Sequence, residues 1–511
     1  MFWLKREFQK LNWQVIGNIV GMVLIALACL MLLPVICGLI YKEIDDVLCF
    51  LLVIGISLIL GFPLSRLKVK HAQYFARDGL IAVGLCWLVV SVFGALPFYI
   101  SGTIPKFIDC FFETVSGFTT TGSSILPEVE SLPRCMLFWR SFTHWVGGMG
   151  ILVFVLAILP KSNDHSMHLL RAESPGPVID KLVPRLRKSS FILYSIYMAL
   201  TIMEILFLLV GKMPLFDTLC NTFGTAGTGG FSVTNQGIGQ YGNAYYEMVI
   251  SIFMILFGIN FNFYFLMLIK EFKTAFKMEE VRVYLLIILT SVTMIALNIA
   301  PLYDGSYVQA FRYSLFQVAS IITTTGYSSF NFDLWPTFSK IILLLLMVVG
   351  ACAGSTGGGI KVSRLIILVK KIRLDLQKTI HPNKVQVVTS EGKAIPKRVV
   401  DQVTGYFSCF MLLVAIITLI VSLDGKDFET TVSAVFACIG NIGPGFGVCG
   451  PFGNFGSFST LSKLVLSIAM LIGRLEIYPI LIFIAPFVGK EYKLRHKYED
   501  SVNEFMDEDS V

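Results

Sequence analysis

Four short loops in this sequence combine neutral oxygen ligands with residues that tolerate unusual backbone angles. The clearest is Thr119-Thr120-Thr121-Gly122-Ser123-Ser124, and a near copy returns as Thr323-Thr324-Thr325-Gly326-Tyr327-Ser328. Gly227-Thr228-Gly229-Gly230-Phe231-Ser232 and Gly440-Asn441-Ile442-Gly443-Pro444-Gly445 are diverged versions. Backbone carbonyls, joined by Thr and Ser hydroxyls, can replace the hydration shell of a monovalent cation. Glycine is the residue that accepts the positive φ such a cage requires. None of the loop cores carries Asp or Glu, which a divalent-cation site would use. None carries the Arg or Lys of an anion pore either. One such loop alone reads as a polar turn; four in equivalent places read as one pore.

The elements that must position these loops follow from composition. The chain has 511 residues, 55% hydrophobic and only 15% charged, against about 25% charged for soluble domains. It is a membrane protein, long enough for about ten membrane helices with short loops. A catalytic or nucleotide-binding domain would have to come from a partner. The net charge of +7 marks topology and not nucleic acid, because most Lys and Arg fall in alternate loops and at the termini, the cytoplasmic side. The 11 cysteines show no metal-ligand spacing and read as free packing residues.

Each loop sits in the same local pattern: a long apolar segment, a short apolar stretch, the loop, then a second long segment. The loop glycines lie about 95 to about 115 residues apart, so each belongs to a structural unit. The short stretches, Phe107 to Gly117, Pro214 to Phe223, Val308 to Ile322 and Thr430 to Ile439, cannot span and read as re-entrant helices. The return segments are Met136 to Leu159, Tyr245 to Ile269, Phe338 to Ile360 and Phe458 to Val488. An all-α polytopic membrane protein is predicted, with an N-terminal transmembrane hairpin (1–77), four pore units (78–188, 189–278, 279–397, 398–489) and a cytoplasmic tail (490–511). The alternation of charge places both termini in the cytoplasm.

The third return segment is singled out because Gly350-Ala351-Cys352-Ala353-Gly354-Ser355-Thr356-Gly357-Gly358-Gly359 interrupts it. Glycine costs a helix interior about 1 kcal/mol relative to Ala, and irregular backbone at membrane depth belongs where it lines a cavity or is buried in protein. This break is expected to face the pore, and to be the one broken helix of the four. Arg474, placed near the middle of the fourth return helix, must face water, a carboxylate or carbonyls. Glu476, two positions on, lies on another helix face and is a poor partner. Arg474 and the Gly350–Gly359 loop are therefore expected to form a barrier below the filter; a structural Arg paired between helices is the alternative. Lys361 reads as an anchor at the cytoplasmic interface, or simply as a snorkelling lysine.

Smaller expectations complete the reading. Asp109 and Asp217 both precede their loop glycine by 13 positions; they either cap a re-entrant helix or attract cations. Glu113 and Arg140 are expected to pair and brace the filter, Glu204 has no obvious partner, and His144 reads as a packed helix residue. The small residues of Trp145-Val146-Gly147-Gly148-Met149-Gly150 allow a neighbour to approach closely.

The four loops, the interrupted helix and Gly473-Arg474-Leu475-Glu476 together resemble the TrkH/KtrB superfamily of K+ transport proteins over nearly the whole chain, with the N-terminal hairpin closer to the TrkH branch. The resemblance implies a K+ selectivity filter at Thr120-Thr121-Gly122, Thr228-Gly229-Gly230, Thr324-Thr325-Gly326 and Asn441-Ile442-Gly443. It agrees with a gate at Gly350, Gly354, Ser355, Thr356, Gly357, Gly358, Gly359, Lys361 and Arg474. It further implies a homodimer in the bacterial inner membrane, a cytoplasmic nucleotide-binding partner of TrkA type, K+ as the bound and transported ion, and no cofactor on this chain. Loops two and four depart from Thr-x-Gly, so fourfold symmetry is approximate. The alternative is a secondary transporter for another cation or a small organic solute, a class that shows two repeats and paired broken helices. An enzyme is not expected: the six histidines form no ligand pattern, and 354–359 does not match a P-loop.

Overall fold

A computed structural model describes residues 12–67, 76–150, 186–381 and 386–477. The protein is an all-helical membrane protein, with a single two-stranded ribbon, Thr389–Ser390 against Lys393–Ala394, among the described residues. Six described helices are long and apolar enough to cross a membrane: Trp13–Tyr41, Ile44–Ser65, Gly79–Ile100, Phe191–Val210, Glu279–Tyr303 and Lys397–Asp424. The end carrying the basic segment 361–398 is called inner below. The expected inside loop 161–188, the tail 490–511 and the distal parts of the first and fourth return segments lie wholly or mostly outside the described residues.

The first two spans form the N-terminal hairpin. Gly21 lets them close: a Cβ there would overlap the backbone of Gly61 and Ser65. The turn between them reaches unit one, where the Glu43 carboxylate accepts from Arg134 N (2.7 Å) and Cys135 N (2.9 Å). Those amides begin a helix and have no partner within it, so Glu43 caps the helix and docks the hairpin in one contact.

The other four long helices each lead into a re-entrant helix: Phe107–Phe118, Leu215–Gly227, Tyr307–Ile322 and Phe428–Ile439. Each matches its predicted stretch to within a few residues. The return helices are Arg134–Gly148, Ala244–Phe257, Thr337–Val349 and Thr460–Arg474. At 13 to 15 residues each stops short of the ~20 needed to cross. The expectation of one broken helix is thus corrected. The second return segment bends by 88° between Phe257 and Phe261, and Arg474 ends its helix instead of lying at its middle.

Return helices pack on the re-entrant helix of the next unit, and the fourth packs on the first, closing a ring. Charged contacts mark the outer rim of these junctions. Glu247, Lys340 and Lys463, each the fourth residue of its return helix, pair with Arg312 (2.9 Å), Glu429 (3.0 Å) and Asp109 (2.7 Å) of the following unit. At the remaining junction the Arg134 guanidinium lies 4.9 Å over the Phe216 ring. Asp109 is therefore neither a cap nor a free cation attractor. Asp217 accepts from the Tyr241 hydroxyl at 3.0 Å.

Candidate functional site

The four re-entrant helices end alike. Thr121 N, Gly229 N, Thr325 N and Ile442 N donate five residues back, to Ser116 O, Gly224 O, Ser320 O and Ala437 O at 2.8–2.9 Å. Thr120 N, Thr228 N, Thr324 N and Asn441 N donate three residues back. This is the Schellman ending, whose pivotal residue must be left-handed. That residue is Thr120 (φ 56°), Thr228 (54°), Thr324 (61°) or Asn441 (55°). Glycine is the usual choice, and a β-branched residue there is strained. Three threonines at that position indicate that the hydroxyl is worth its strain. Two residues on, Gly122 (83°), Gly230 (77°), Gly326 (80°) and Gly443 (103°) are left-handed again. Loops two and four, which break the sequence pattern, keep the backbone pattern.

The loop glycines converge. A Cβ on Gly122 would overlap Gly229 O, one on Gly230 would overlap Thr325 O, one on Gly326 would overlap Ile442 O, and one on Gly443 would crowd Thr121 O. The series runs one to two to three to four and back to one. All four glycines line a single outer cavity of about 100 Å3. The Thr120 hydroxyl is buried with no protein partner among the described residues. A ring of neutral oxygens with a spare hydroxyl fits an alkali cation.

Buried side chains hold the loops from behind. Arg140 meets Glu113 at 2.6 Å, as predicted, and also donates to Ser232 O (3.0 Å). Glu113 accepts from Ser124 Oγ (3.0 Å) and Ile125 N (2.9 Å). The fourth loop is tied to the first by Asn441 Nδ2 donating to Thr121 Oγ1 and by Ser123 Oγ donating to Gly443 O, both 3.0 Å. Glu204 is fully buried, and its carboxylate has no hydrogen-bond partner among the described residues.

Directly inside this ring lies the Gly350–Gly359 loop. Its ends meet: a Cβ on Gly350 or on Gly359 would run into the other glycine's backbone. Gly358 N donates to Thr324 Oγ1 (2.6 Å) and Gly359 N to Gly440 O (3.1 Å). On its other side the loop fills the bend of the second return segment. Cys352 N donates to Gly258 O (3.1 Å), Phe261 N to Gly354 O (3.0 Å), and Thr356 Oγ1 to Phe257 O (3.2 Å). Two broken helices thereby satisfy the polar groups each leaves open, as membrane depth demands.

The same economy holds between units four and one. Arg474 donates to Thr356 O (3.0 Å), Gly148 O (2.7 Å) and Gly147 O. It joins the end of the first return helix to the Gly350–Gly359 loop through carbonyls, one of the three partner types expected for it. Glu476 pairs with Arg364. Lys361 departs from expectation: it is buried, and its ammonium turns back to Gly357 O instead of snorkelling. Gly354, Ser355, Gly357, Gly358, Gly359, Lys361 and Arg474 line an inner cavity of about 80 Å3; Gly350 stands at the loop's neck, and Thr356 offers its carbonyl to Arg474.

Glu280 is a residue the sequence reading missed. Its carboxylate accepts from Ala353 N (2.6 Å), Ser363 N (3.1 Å) and Asn260 Nδ2 (3.4 Å), tying the first half of the loop to the start of the helix that follows it. Nothing local in Lys277-Met278-Glu279-Glu280-Val281 signals that role. The bend beside it had a signal, since Gly258-Ile259-Asn260 interrupts an apolar run with a helix breaker and a capping residue.

Comparison with known proteins agrees with this geometry. Residues 50–490 match the family model described as TrkH, cation transport protein. The chain is 35% identical to the Trk system potassium uptake protein TrkH of Salmonella typhimurium, across 94% of this chain and 100% of the relative. It is 34% identical to the Trk system potassium uptake protein TrkG of Escherichia coli, across 89% and 94%. The crystal structure of the potassium transporter TrkH from Vibrio parahaemolyticus superposes with a TM-score of 0.84 at 32% identity, covering 94% of this chain and 100% of that one. The chain belongs to the TrkH family of cation transport proteins.

Proposed function

We propose that this chain is the membrane subunit of a Trk-type potassium uptake system. K+ crosses through the carbonyls and hydroxyls of Thr120-Thr121-Gly122, Thr228-Gly229-Gly230, Thr324-Thr325-Gly326 and Asn441-Ile442-Gly443. The closed ring of loop glycines, each against the next loop's carbonyl, carries this reading. A ring this tight presents only backbone and Thr oxygens to an ion that has shed its water. The potassium named for the relatives supports the choice of ion.

The Gly350–Gly359 loop and Arg474 gate the path from the inner side. Arg474 sets a positive charge beside the route of a cation, and its bonds to Thr356, Gly147 and Gly148 hold the loop across it. The helix Val362–Ile380 continues directly from the loop toward the basic inner segment, a lever on which a cytoplasmic TrkA-type nucleotide-binding partner would act. A homodimer in the bacterial inner membrane, with both termini cytoplasmic, completes the arrangement.

The assignment is tested by growth of a K+-uptake-deficient bacterium at low K+, with this chain supplied with and without a TrkA-type partner. Rescue is expected with the partner; no rescue in either case sinks the assignment. The gate is tested by K+ flux through Arg474→Ala. Flux should rise roughly tenfold or more, because a like charge a few ångströms from a cation's route costs it on the order of a few kcal/mol at protein dielectric. Unchanged or lower flux at normal membrane expression would remove the barrier role.

A further inference from the structure

Loops one and three are each braced by their own threonine pair. Thr119 Oγ1 and Thr121 Oγ1 lie 2.8 Å apart, and Thr323 Oγ1 and Thr325 Oγ1 lie 2.7 Å apart. In loop four the equivalent positions are Gly440 and Ile442, and the Ile442 side chain packs over the glycine. In loop two both positions are glycine, Gly227 and Gly229, so that loop has no side chain of its own behind the ion path.

The space left by these glycines is taken by His144 of the first return helix. The three atoms nearest a Cβ built on Gly229 all belong to the His144 ring, and a Cβ on Gly227 would overlap the His144 backbone. The ring is fully buried. Its Nδ1 lies 2.8 Å from Gly117 O, at the end of the first re-entrant helix, and its Nε2 accepts from Phe231 N at 3.2 Å. Phe231 directly follows the loop glycine Gly230. Its ring centre lies 4.2 Å from that of His144 and 3.5 Å from the Arg140 guanidinium carbon. A carbonyl can only accept and an amide N–H can only donate. The geometry therefore dictates one neutral tautomer, with the proton on Nδ1 and Nε2 bare.

We propose that His144, as this neutral tautomer, is the positioning residue for the second filter loop, replacing from the neighbouring unit the threonine brace of loops one and three and setting K+ over Na+ discrimination at that quarter of the ring. The inference rests on the reading of these loops as a K+ filter. It assigns His144 no contact with the ion. The ring acts through the Phe231 amide, whose position fixes the Gly229 and Gly230 carbonyls.

The test uses the full chain in liposomes, with Rb+ uptake as the K+ readout and Na+ uptake measured in parallel. In His144→Leu the bulk is kept and both hydrogen bonds are lost. The K+/Na+ ratio should fall roughly tenfold, the scale of a buried donor left without its acceptor. In His144→Gln a side-chain amide can still donate to Gly117 O and accept from Phe231 N, and the ratio should stay within about threefold of wild type. A wild-type ratio in His144→Leu overturns the proposal, and so does a Gln variant as poor as the Leu variant, because packing alone would then suffice. A second pair of variants is independent of the stability of His144→Leu. Gly229→Thr alone should abolish uptake by collision with the ring, and Gly229→Thr with His144→Ala should recover part of it. No recovery overturns the proposal. Wild-type protein that carries no K+ in any of these assays would instead overturn the K+ filter reading itself.

Discussion

The ring of four loops proposed as the filter and the Gly350–Gly359 loop are both irregular and both buried, yet they are supported in different ways. The filter loops are held by backbone. Each ends a re-entrant helix through the same pair of main-chain hydrogen bonds, and each glycine leaves no room for a methyl group against the next unit's carbonyl. Displacing one loop would disturb all four. The Gly350–Gly359 loop occurs once and is pinned in large part by side chains: Glu280 at Ala353 and at Ser363 just beyond it, Lys361 at Gly357, and Arg474 at Thr356. Such pins can be released singly. On the proposed reading, cyclic backbone packing builds the part that would stay sized to an ion, whereas a few charge-assisted contacts hold the part that would move.

The sharpest way to break this contrast is a methyl group in the ring. Gly326→Ala places a Cβ on the Ile442 carbonyl at a φ of 80°, and K+ uptake should drop to background while the protein still reaches the membrane. Retained uptake with normal selectivity would mean that the ring yields as the loop does. A smaller effect of opposite sign is expected at Glu280. Glu280→Gln keeps one acceptor oxygen for contacts that now use two. Partner-independent flux should rise several-fold, on the scale of one weakened buried hydrogen bond, with the K+/Na+ ratio unchanged. A changed ratio would show that the loop helps shape the filter.

Smaller still is the rim. Lys340→Met removes the partner of Glu429, whose carboxylate is half exposed to solvent. Pairs of this kind contribute up to about 1 kcal/mol, so melting in detergent should shift down by a few degrees at most, with selectivity intact. The least effect concerns Asp427, the cap of the fourth re-entrant helix. Hydrogen bonds from the Thr430 hydroxyl and amide hold its carboxyl below the usual carboxylate range. A depressed pKa contributes stability above the unfolded value of about 3.9, and that contribution is lost as pH falls through the folded one. The melting temperature of Asp427→Asn should accordingly fall less on acidification below about pH 4 than that of wild type. An identical acid profile would assign the lowered pKa no part in stability.

Much of this architecture was legible in the chain. Apolar run length separates spanning from re-entrant segments, because the bilayer sets a minimum helix length. Roughly equal spacing of four Gly-containing loops then implies four similar units. The unusual backbone of Thr120-Thr121-Gly122 and Thr324-Thr325-Gly326 and the helix break at the Gly350–Gly359 run could be read directly, since irregular backbone leaves a compositional mark. The pairing of Glu113 with Arg140 was legible too, because buried charges of opposite sign in one membrane unit seek each other. Long-range pairing left no such mark. That all four return helices are too short to cross depends on which unit supplies the missing partners, and Arg474 reaching Gly147, or Phe261 reaching Gly354, joins residues far apart in sequence. Glu280 and His144 look like an ordinary helix-start acid and an ordinary packed histidine. Only the tertiary packing brings the first to Ala353 and Ser363 on either side of the loop's second half, and the second into the space vacated by Gly227 and Gly229. Local composition specifies which backbone can bend and where the membrane is; which orphaned amide meets which carbonyl is decided by packing between units, and that information is distributed over the whole fold.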